Sequence, residues 1–498
     1  MKEGKVVMSF YIGIDVGTSS VKLVLIDDTG KIIHTAKREY ANLSPLPGWR
    51  EQNPEVWYDH MALGIKNLLA NFDRSLVKGI GVTGQMHTAV FLDKQGDVIR
   101  PAILWDDTRT SSIVDRLRSE VGNDPDIPYL QNIISTGSPA INLLWLKENE
   151  RDHFEKIRYV LIAKDYIVYR LTGEISTDYC DASTSALFDF REKQWSEKMK
   201  GLIGLGNVLP TINSSSQIVG CLKKDVAGDL GLDCGVKVIA GTGDNAAAAV
   251  SSGSIEIGSP TISLGTSGVI FASCERADFS TRVKNILFSI SERETVYLFQ
   301  GVAQAAASCS QWWVEDILRT KNYRSEELKI NADKLGKNNV LFFPHLTGDK
   351  TVYADPRIRG AFLGLSIDTS REEMMQAVME GVAFALKDIV EVLKSIDIHI
   401  QTAKITGGGA NSDLWIRIIS NVLNIPIAKL SPGAGPGYGV GLLALYGCGA
   451  CDTLQSLVHQ NITIEKTIHP EQGLPEQYEK KYAVYKNIYS MVKMISQS

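Results

Sequence analysis

The sequence predicts an α/β protein of two similar domains, and three observations carry that expectation. The first is a phrase that occurs twice. Gly17-Thr18-Ser19 follows the apolar run Tyr11-Ile12-Gly13-Ile14-Asp15-Val16, and Gly265-Thr266-Ser267 follows Thr261-Ile262-Ser263-Leu264, about half the chain later. The second is that each turn leads into another apolar run, Val21–Ile26 and Val269–Ala272, so each unit reads as strand, turn, strand. The third is the alternation of strand-like and helix-like segments after each unit, the pattern of α/β architecture. A chain of 498 residues exceeds what one core sustains. The boundary is expected near Ser251-Ser252-Gly253, giving domains over 1–252 and 253–498.

The elements follow in order. Residues 10–40 read as three strands, the second turn being Asp27-Asp28-Thr29-Gly30, a hairpin composition. A helix is expected from about Pro54 to Asn71, then strands at Lys78–Thr83 and Ala89–Asp93. In the second half, Ser370-Arg371-Glu372-Glu373 has the form of a capping box. It opens an apolar-periodic helix through Met374, Ala377, Val378, Gly381, Ala385 and Ile389. The strand Ala403–Thr406 ends in Gly407-Gly408-Gly409, and a helix follows from about Ser412. A Gly/Ala-rich helix spans about Gly437 to Leu445, and the tail from about Glu471 to Ser498 reads as a terminal helix.

Composition narrows the function classes. The chain is 44% apolar and 22% charged, ordinary for a globular protein. A net charge of −5 gives no basic footprint, so nucleic acid is not an expected partner. No apolar run approaches a membrane span. Lys2 and Lys5 precede an apolar stretch that Asp15 soon interrupts, which does not fit a signal peptide. Seven cysteines, an odd number spread thinly, suit a reducing cytoplasm. Cys448-Gly449-Ala450-Cys451 has no partner pair and lies in a small-residue, helical-looking stretch, so packing is the expectation. The eight histidines show no metal-ligand spacing.

Five strand ends carry candidate chemistry. Asp15 precedes Gly17-Thr18-Ser19, whose backbone N–H groups and hydroxyls suit phosphate. There it can hold Mg²⁺ beside a phosphate, or simply accept turn N–H groups. The second Gly-Thr-Ser turn favours the phosphate reading. Gly241-Thr242-Gly243-Asp244-Asn245 joins a strand to a small-residue helix. Asp244 is either an N-cap or a general base, with Asn245 orienting a hydroxyl. Gln85, Met86 and His87 form a polar patch with an apolar wall, which suits a polyol, although a lone histidine is more often structural. In Trp105-Asp106-Asp107-Thr108-Arg109 the Asp/Arg pair either presents groups to sugar hydroxyls or forms a salt bridge. Gly407-Gly408-Gly409-Ala410-Asn411 permits close approach of a flat or anionic ligand, or is a tight turn. Neither a GxGxxG at the first strand nor a GxxxxGK[ST] string is present, which argues against a dehydrogenase and a P-loop kinase.

Taken together these motifs resemble the FGGY carbohydrate kinases of the actin/hexokinase/Hsp70-like superfamily, closest in pattern to the xylulokinases. The matching stretches are Ile12–Ser19, Gly84–His87, Arg100–Trp105, Lys164-Asp165-Tyr166, Gly243–Ala247, Ser263–Val269 and Gly407–Ala410, in order along nearly the whole chain. The resemblance implies two ribonuclease-H-like domains around a central hinged cleft, the first on the sugar and metal side and the second on the nucleotide side. It implies transfer of the ATP γ-phosphoryl group, with Mg²⁺, to a terminal hydroxyl, D-xylulose leading as acceptor. Ribulose, other ketoses, gluconate and glycerol remain open. It implies Asp244 as the base and Asp15 as the residue handling Mg·ATP. Gln85, Met86, His87, Asn245, Trp105 and Asp106 would border the sugar. Gly17, Thr18, Ser19, Gly265, Thr266 and Ser267 would line the phosphates, and Gly408, Gly409 and Asn411 the adenosine. The family further implies a homodimer. The chain departs from the family pattern at Thr88, Asp106, Thr108, Asn142 and Gly348–Val352. A chaperone-like ATPase of the same superfold is the rival class, but no residues remain for a peptide-binding domain.

Overall fold

The computed structural model describes residues 8–496 apart from 122–123, 125–126, 128–129, 131–132, 282, 350, 356, 432 and 434. Lys2, Lys5, Lys350 and the last two residues, used in the sequence reading, lie outside the described residues. The chain forms two compact units. One comprises Met1–Gly253, Ile286–Tyr297 and Gly433–Ile462; the other comprises Ser254–Asn285, Leu298–Pro432 and Thr463–Ser498. The compact units differ from a simple cut into 1–252 and 253–498 in that residues 286–297 and 433–462 group with the first unit. Among the described residues no helix is long and apolar enough to cross a membrane.

The first unit is built on a mixed sheet. Its antiparallel meander Phe10–Val16, Ser20–Asp27 and Ile32–Glu39 is extended by Val77–Gly84, which runs parallel to the first strand. Lys237–Ile239 and Thr242–Gly243 also run parallel to Val77–Gly84. The alternation of the first strand explains its two faces. Phe10, Ile12, Ile14 and Val16 join a core with Trp57, Met61, Ile65, Tyr166 and Ile167. Burial of each such side chain stabilises the fold by about 1.5–3 kcal/mol. The opposite face carries glycine, and backbone packs directly on it. A Cβ on Gly13 would lie 1.8 Å from Gly437 O, and one on Gly81 would lie 2.4 Å from Val440 O. That is why the helix Pro436–Gly447 is rich in small residues and why it belongs to this unit.

The helix over the core, Pro54–Leu68, starts where Asn53 Oδ1 accepts from Glu55 N and Pro54 occupies the first turn. The second unit has the sheet core Gly268–Cys274, Thr261–Leu264, Ala403–Thr406, Ile427–Leu430 and Ile464–Ile468, in that order. Its long helix, Arg371–Ser395, begins at the expected capping box: Ser370 Oγ accepts from Glu373 N, and Glu373 Oε2 accepts from Ser370 N. The tail forms two helices, Leu474–Tyr485 and Ile488–Ser496. Cys448 and Cys451 fall in the turn just after Pro436–Gly447 rather than within a helix, and all seven cysteines are free.

Candidate active site

Register places the candidates of the first unit together. Asp15 pairs with Thr83 and Val16 with Gly84, while Thr242 pairs with Thr83 and Gly243 with Gly84. Three adjacent parallel strands therefore end at one level. What leaves their carboxyl ends is Gly17-Thr18, Gln85-Met86-His87 and Asp244-Asn245. The carboxyl edge of parallel strands is where open α/β sheets bind ligands.

Asp15 is 5% exposed. Its Oδ2 lies 3.8 Å from Lys22 Nζ, its neighbour across the hairpin. Burial pushes its carboxyl up to about 6, and Lys22 offsets only part of that. The turn beside it closes with Gly17 N donating to Ser20 O at 3.0 Å. Thr18 is the hub of the site's polar frame. Its hydroxyl donates to Gln85 Oε1 at 3.3 Å and accepts from Trp105 Nε1 at 3.1 Å, and its carbonyl accepts from Gln52 Nε2 at 2.6 Å. Gln52 Oε1 in turn accepts from Trp57 Nε1 at 2.8 Å and Gln85 Nε2 at 3.1 Å. Both amide ends of buried Gln85 are thus held by protein, so Gln85 braces the Thr18 turn.

Met86 is buried and His87 half-buried. His87 sits at φ +69°, a left-handed conformation costing about 1–3 kcal/mol in a non-glycine residue and found preferentially at functional sites. Trp105 is 44% exposed, with its indole edge on Thr18. Asp106 is also exposed. The adjacent Asp107/Arg109 pair is structural. Arg109 binds Asp107 at 2.8 Å and Glu51 at 2.8 Å, the three side chains being buried, and lies 3.7 Å over the half-buried Trp49 ring.

Asp244 is not the helix cap. Gly243 occupies that position without a side-chain bond, and Asp244 is the first residue of the helix Asp244–Ser252. Its carboxylate therefore sits at the positive end of the helix dipole. Asp244 and Asn245 are both half-buried. The preceding Gly241 has φ +71°, and a Cβ there would lie 1.9 Å from Val82 O, so only glycine fits that approach.

In the second unit Gly265-Thr266-Ser267 and the triple glycine converge on Leu264. Thr261–Leu264 runs parallel to Ala403–Thr406, pairing Ser263 with Thr406. Gly407 has φ +98°, and a Cβ on it would be 2.7 Å from Leu264 O. Gly408 and Asn411 are exposed, Gly409 is buried, and a Cβ on Gly408 would meet nothing within 4 Å among the described residues. Thr266 is exposed, and its carbonyl accepts from Ala306 N and Ser308 Oγ, each at 2.9 Å.

Sequence reading missed one part of the first unit. Lys164, Asp165, Asp178 and Asp181 form a fully buried charged cluster behind the Asp244 loop. Its signal was a Lys-Asp pair placed in an otherwise apolar helix start, Ala163-Lys164-Asp165-Tyr166-Ile167-Val168. No group of three or more His, Cys, Asp or Glu that could hold a metal occurs among the described residues.

The profile of the FGGY family of carbohydrate kinases matches its N-terminal domain at residues 10–251 and its C-terminal domain at residues 261–448. A xylulose kinase of Bacillus subtilis (strain 168) is 32% identical over 489 residues, covering 98% of each chain. That of Escherichia coli (strain K12) is 31% identical over 486 residues, covering 97% of this chain and 99% of its own. The crystal structure of a xyloylose kinase from Brucella ovis superposes with a TM-score of 0.91 at 33% identity, covering 98% of this chain and 100% of that one. The fold is the two-domain, actin/hexokinase-like one with mixed α/β sheets, and the chain belongs to the FGGY family of carbohydrate kinases.

Proposed function

We propose that the protein transfers the γ-phosphoryl group of ATP to the terminal hydroxyl of D-xylulose, giving D-xylulose 5-phosphate. The observation that carries this reading is the gathering of Asp15, Met86-His87 and Asp244-Asn245 at the carboxyl ends of three adjacent parallel strands. The relatives bearing the name xylulose kinase support the choice of acceptor.

Phosphoryl transfer demands position and charge balance more than covalent help. Asp244 accepts the proton of the attacking hydroxyl, with Asn245 beside it to orient the sugar. Met86 supplies an apolar wall, and His87 and Trp105 border the sugar, with Asp106 next to them. The two Gly-Thr-Ser turns take the phosphates, and Gly408, Gly409 and Asn411 lie against the adenosine. A lone buried carboxylate at a phosphate turn fits Mg²⁺, which keeps several waters and takes one or two carboxylates besides phosphate oxygens. Asp15 would hold that ion, whose chemistry is to neutralise phosphate charge. The seven free cysteines support a cytoplasmic setting, and the family likeness supports a homodimer.

The test is a coupled ADP-release assay over ketoses, aldonates and polyols. D-xylulose should give the highest kcat/KM, and Asp244→Asn should abolish turnover while ATP binding and folding persist. A different preferred acceptor would overturn the substrate, and an active Asp244→Asn would overturn the base.

A further inference from the structure

The buried cluster behind the Asp244 loop takes no part in the chemistry above. Lys164 is 0% exposed. Its Nζ lies 2.5 Å from Asp165 Oδ1, 3.1 Å from Asp178 Oδ1 and 3.5 Å from Asp181 Oδ2. It also donates to Ala240 O at 3.4 Å. Asp178 caps the helix Tyr179–Thr184, accepting from Cys180 N at 3.1 Å and Asp181 N at 3.3 Å. Its Oδ2 further accepts the Thr242 hydroxyl at 2.8 Å and the Ser215 hydroxyl at 3.0 Å. The cluster thus grips the chain at residues 240 and 242, on both sides of the left-handed Gly241. It also reaches Gly243, where a Cβ would stand 3.1 Å from Asp181 Oδ1.

A cluster of this kind is a poor way to stabilise a fold. Four charged groups leave water, and apolar residues of like volume often serve stability as well or better. Neither oxygen of Asp181 has a hydrogen-bond partner among the described residues. Burial, with the neighbouring carboxylates, pushes its carboxyl well above the usual range despite Lys164. What the cluster does supply is a fixed path for the four residues that lead into Asp244.

We propose that Lys164 and Asp178 are positioning residues for phosphoryl transfer, fixing the Ala240 carbonyl and the Thr242 hydroxyl and so the place of Asp244. The inference rests on Asp244 being the base. Misplacing a reacting group by about 1 Å costs up to about a hundredfold in rate. Thr242→Val removes the hydroxyl while keeping the shape. It is expected to lower kcat about ten- to hundredfold, with KM for ATP within about twofold and the unfolding midpoint unchanged. Thr242→Ser, which keeps the hydroxyl, should restore kcat to within about threefold of the parent. Lys164→Met should fall at least as far as Thr242→Val; where it fails to fold, Thr242→Val carries the test. A Thr242→Val enzyme with parental kcat, or a loss that Thr242→Ser shares, would overturn the proposal. Asp244→Asn, assayed alongside, separates the two claims. An active Asp244→Asn overturns the base itself, whereas an inactive one beside a fully active Thr242→Val overturns only the positioning role.

Discussion

Replacing Asp15 with asparagine should stabilise the protein near neutral pH while removing its kinase activity. The Asp15 carboxyl is buried at the end of its strand, and its folded-state value is raised from 3.8 to about 6. Between those values the folded chain keeps a proton that the unfolded chain has released. Stability therefore falls as pH rises through that window and is at its lowest above it. A shift of about two units corresponds to about 3 kcal/mol. Asp15→Asn removes the charge but keeps the shape. In nucleotide-free, metal-free protein it should gain up to about 3 kcal/mol at pH 7 and about nothing below pH 4. Urea unfolding followed by tryptophan fluorescence at pH 4, 5, 6 and 7 reads this as a midpoint difference that grows with pH. An equal midpoint at pH 7, or a gain independent of pH, would refute the reasoning. Retained sugar-kinase activity would separately refute the role given to Asp15.

Other consequences follow from the packing. Gly439→Ala places a Cβ 1.9 Å from Ala247 O, in the helix headed by Asp244. It should cost about 1–3 kcal/mol and lower kcat, measured by urea unfolding and the ADP assay. Gly228→Ala, in a helix with nothing within 4 Å of the new Cβ, is the control and should stabilise by up to about 1 kcal/mol. Arg109→Met leaves Asp107 buried without its guanidinium and leaves Glu51 with that of Arg100 alone. It should cost about 3–5 kcal/mol in an unfolding titration, and a neutral result would refute the structural role of this pair.

The sequence announced whatever its local chemistry could fix. The Asp15 hairpin was legible because large apolar residues and a Gly-Thr-Ser turn bracket it. The capping box at Ser370–Glu373 was legible because four consecutive residues complete it. Pro436–Gly447 was legible as a helix, but its unit was not, since the backbone it packs on at Gly13 and Gly81 lies far away in the chain. Asp107-Thr108-Arg109 left a choice between sugar contact and salt bridge until Glu51 and Trp49, from another segment, settled it. Asp244 left a choice between cap and base, and the backbone shows that Gly243 takes the cap. Lys164 was visible only as a motif, because Asp178, Asp181 and Thr242 reach it from other segments. Gln52, which braces both Thr18 and Gln85, carried no motif at all.

The most direct test is ATP turnover by the purified protein with and without D-xylulose, with the product identified by phosphorus NMR. The account predicts that ADP release depends on the sugar, with one terminal phosphomonoester formed per ADP, and that Asp244→Asn forms none. ADP release at the same rate without any sugar, or none with any ketose, aldonate or polyol, would contradict it.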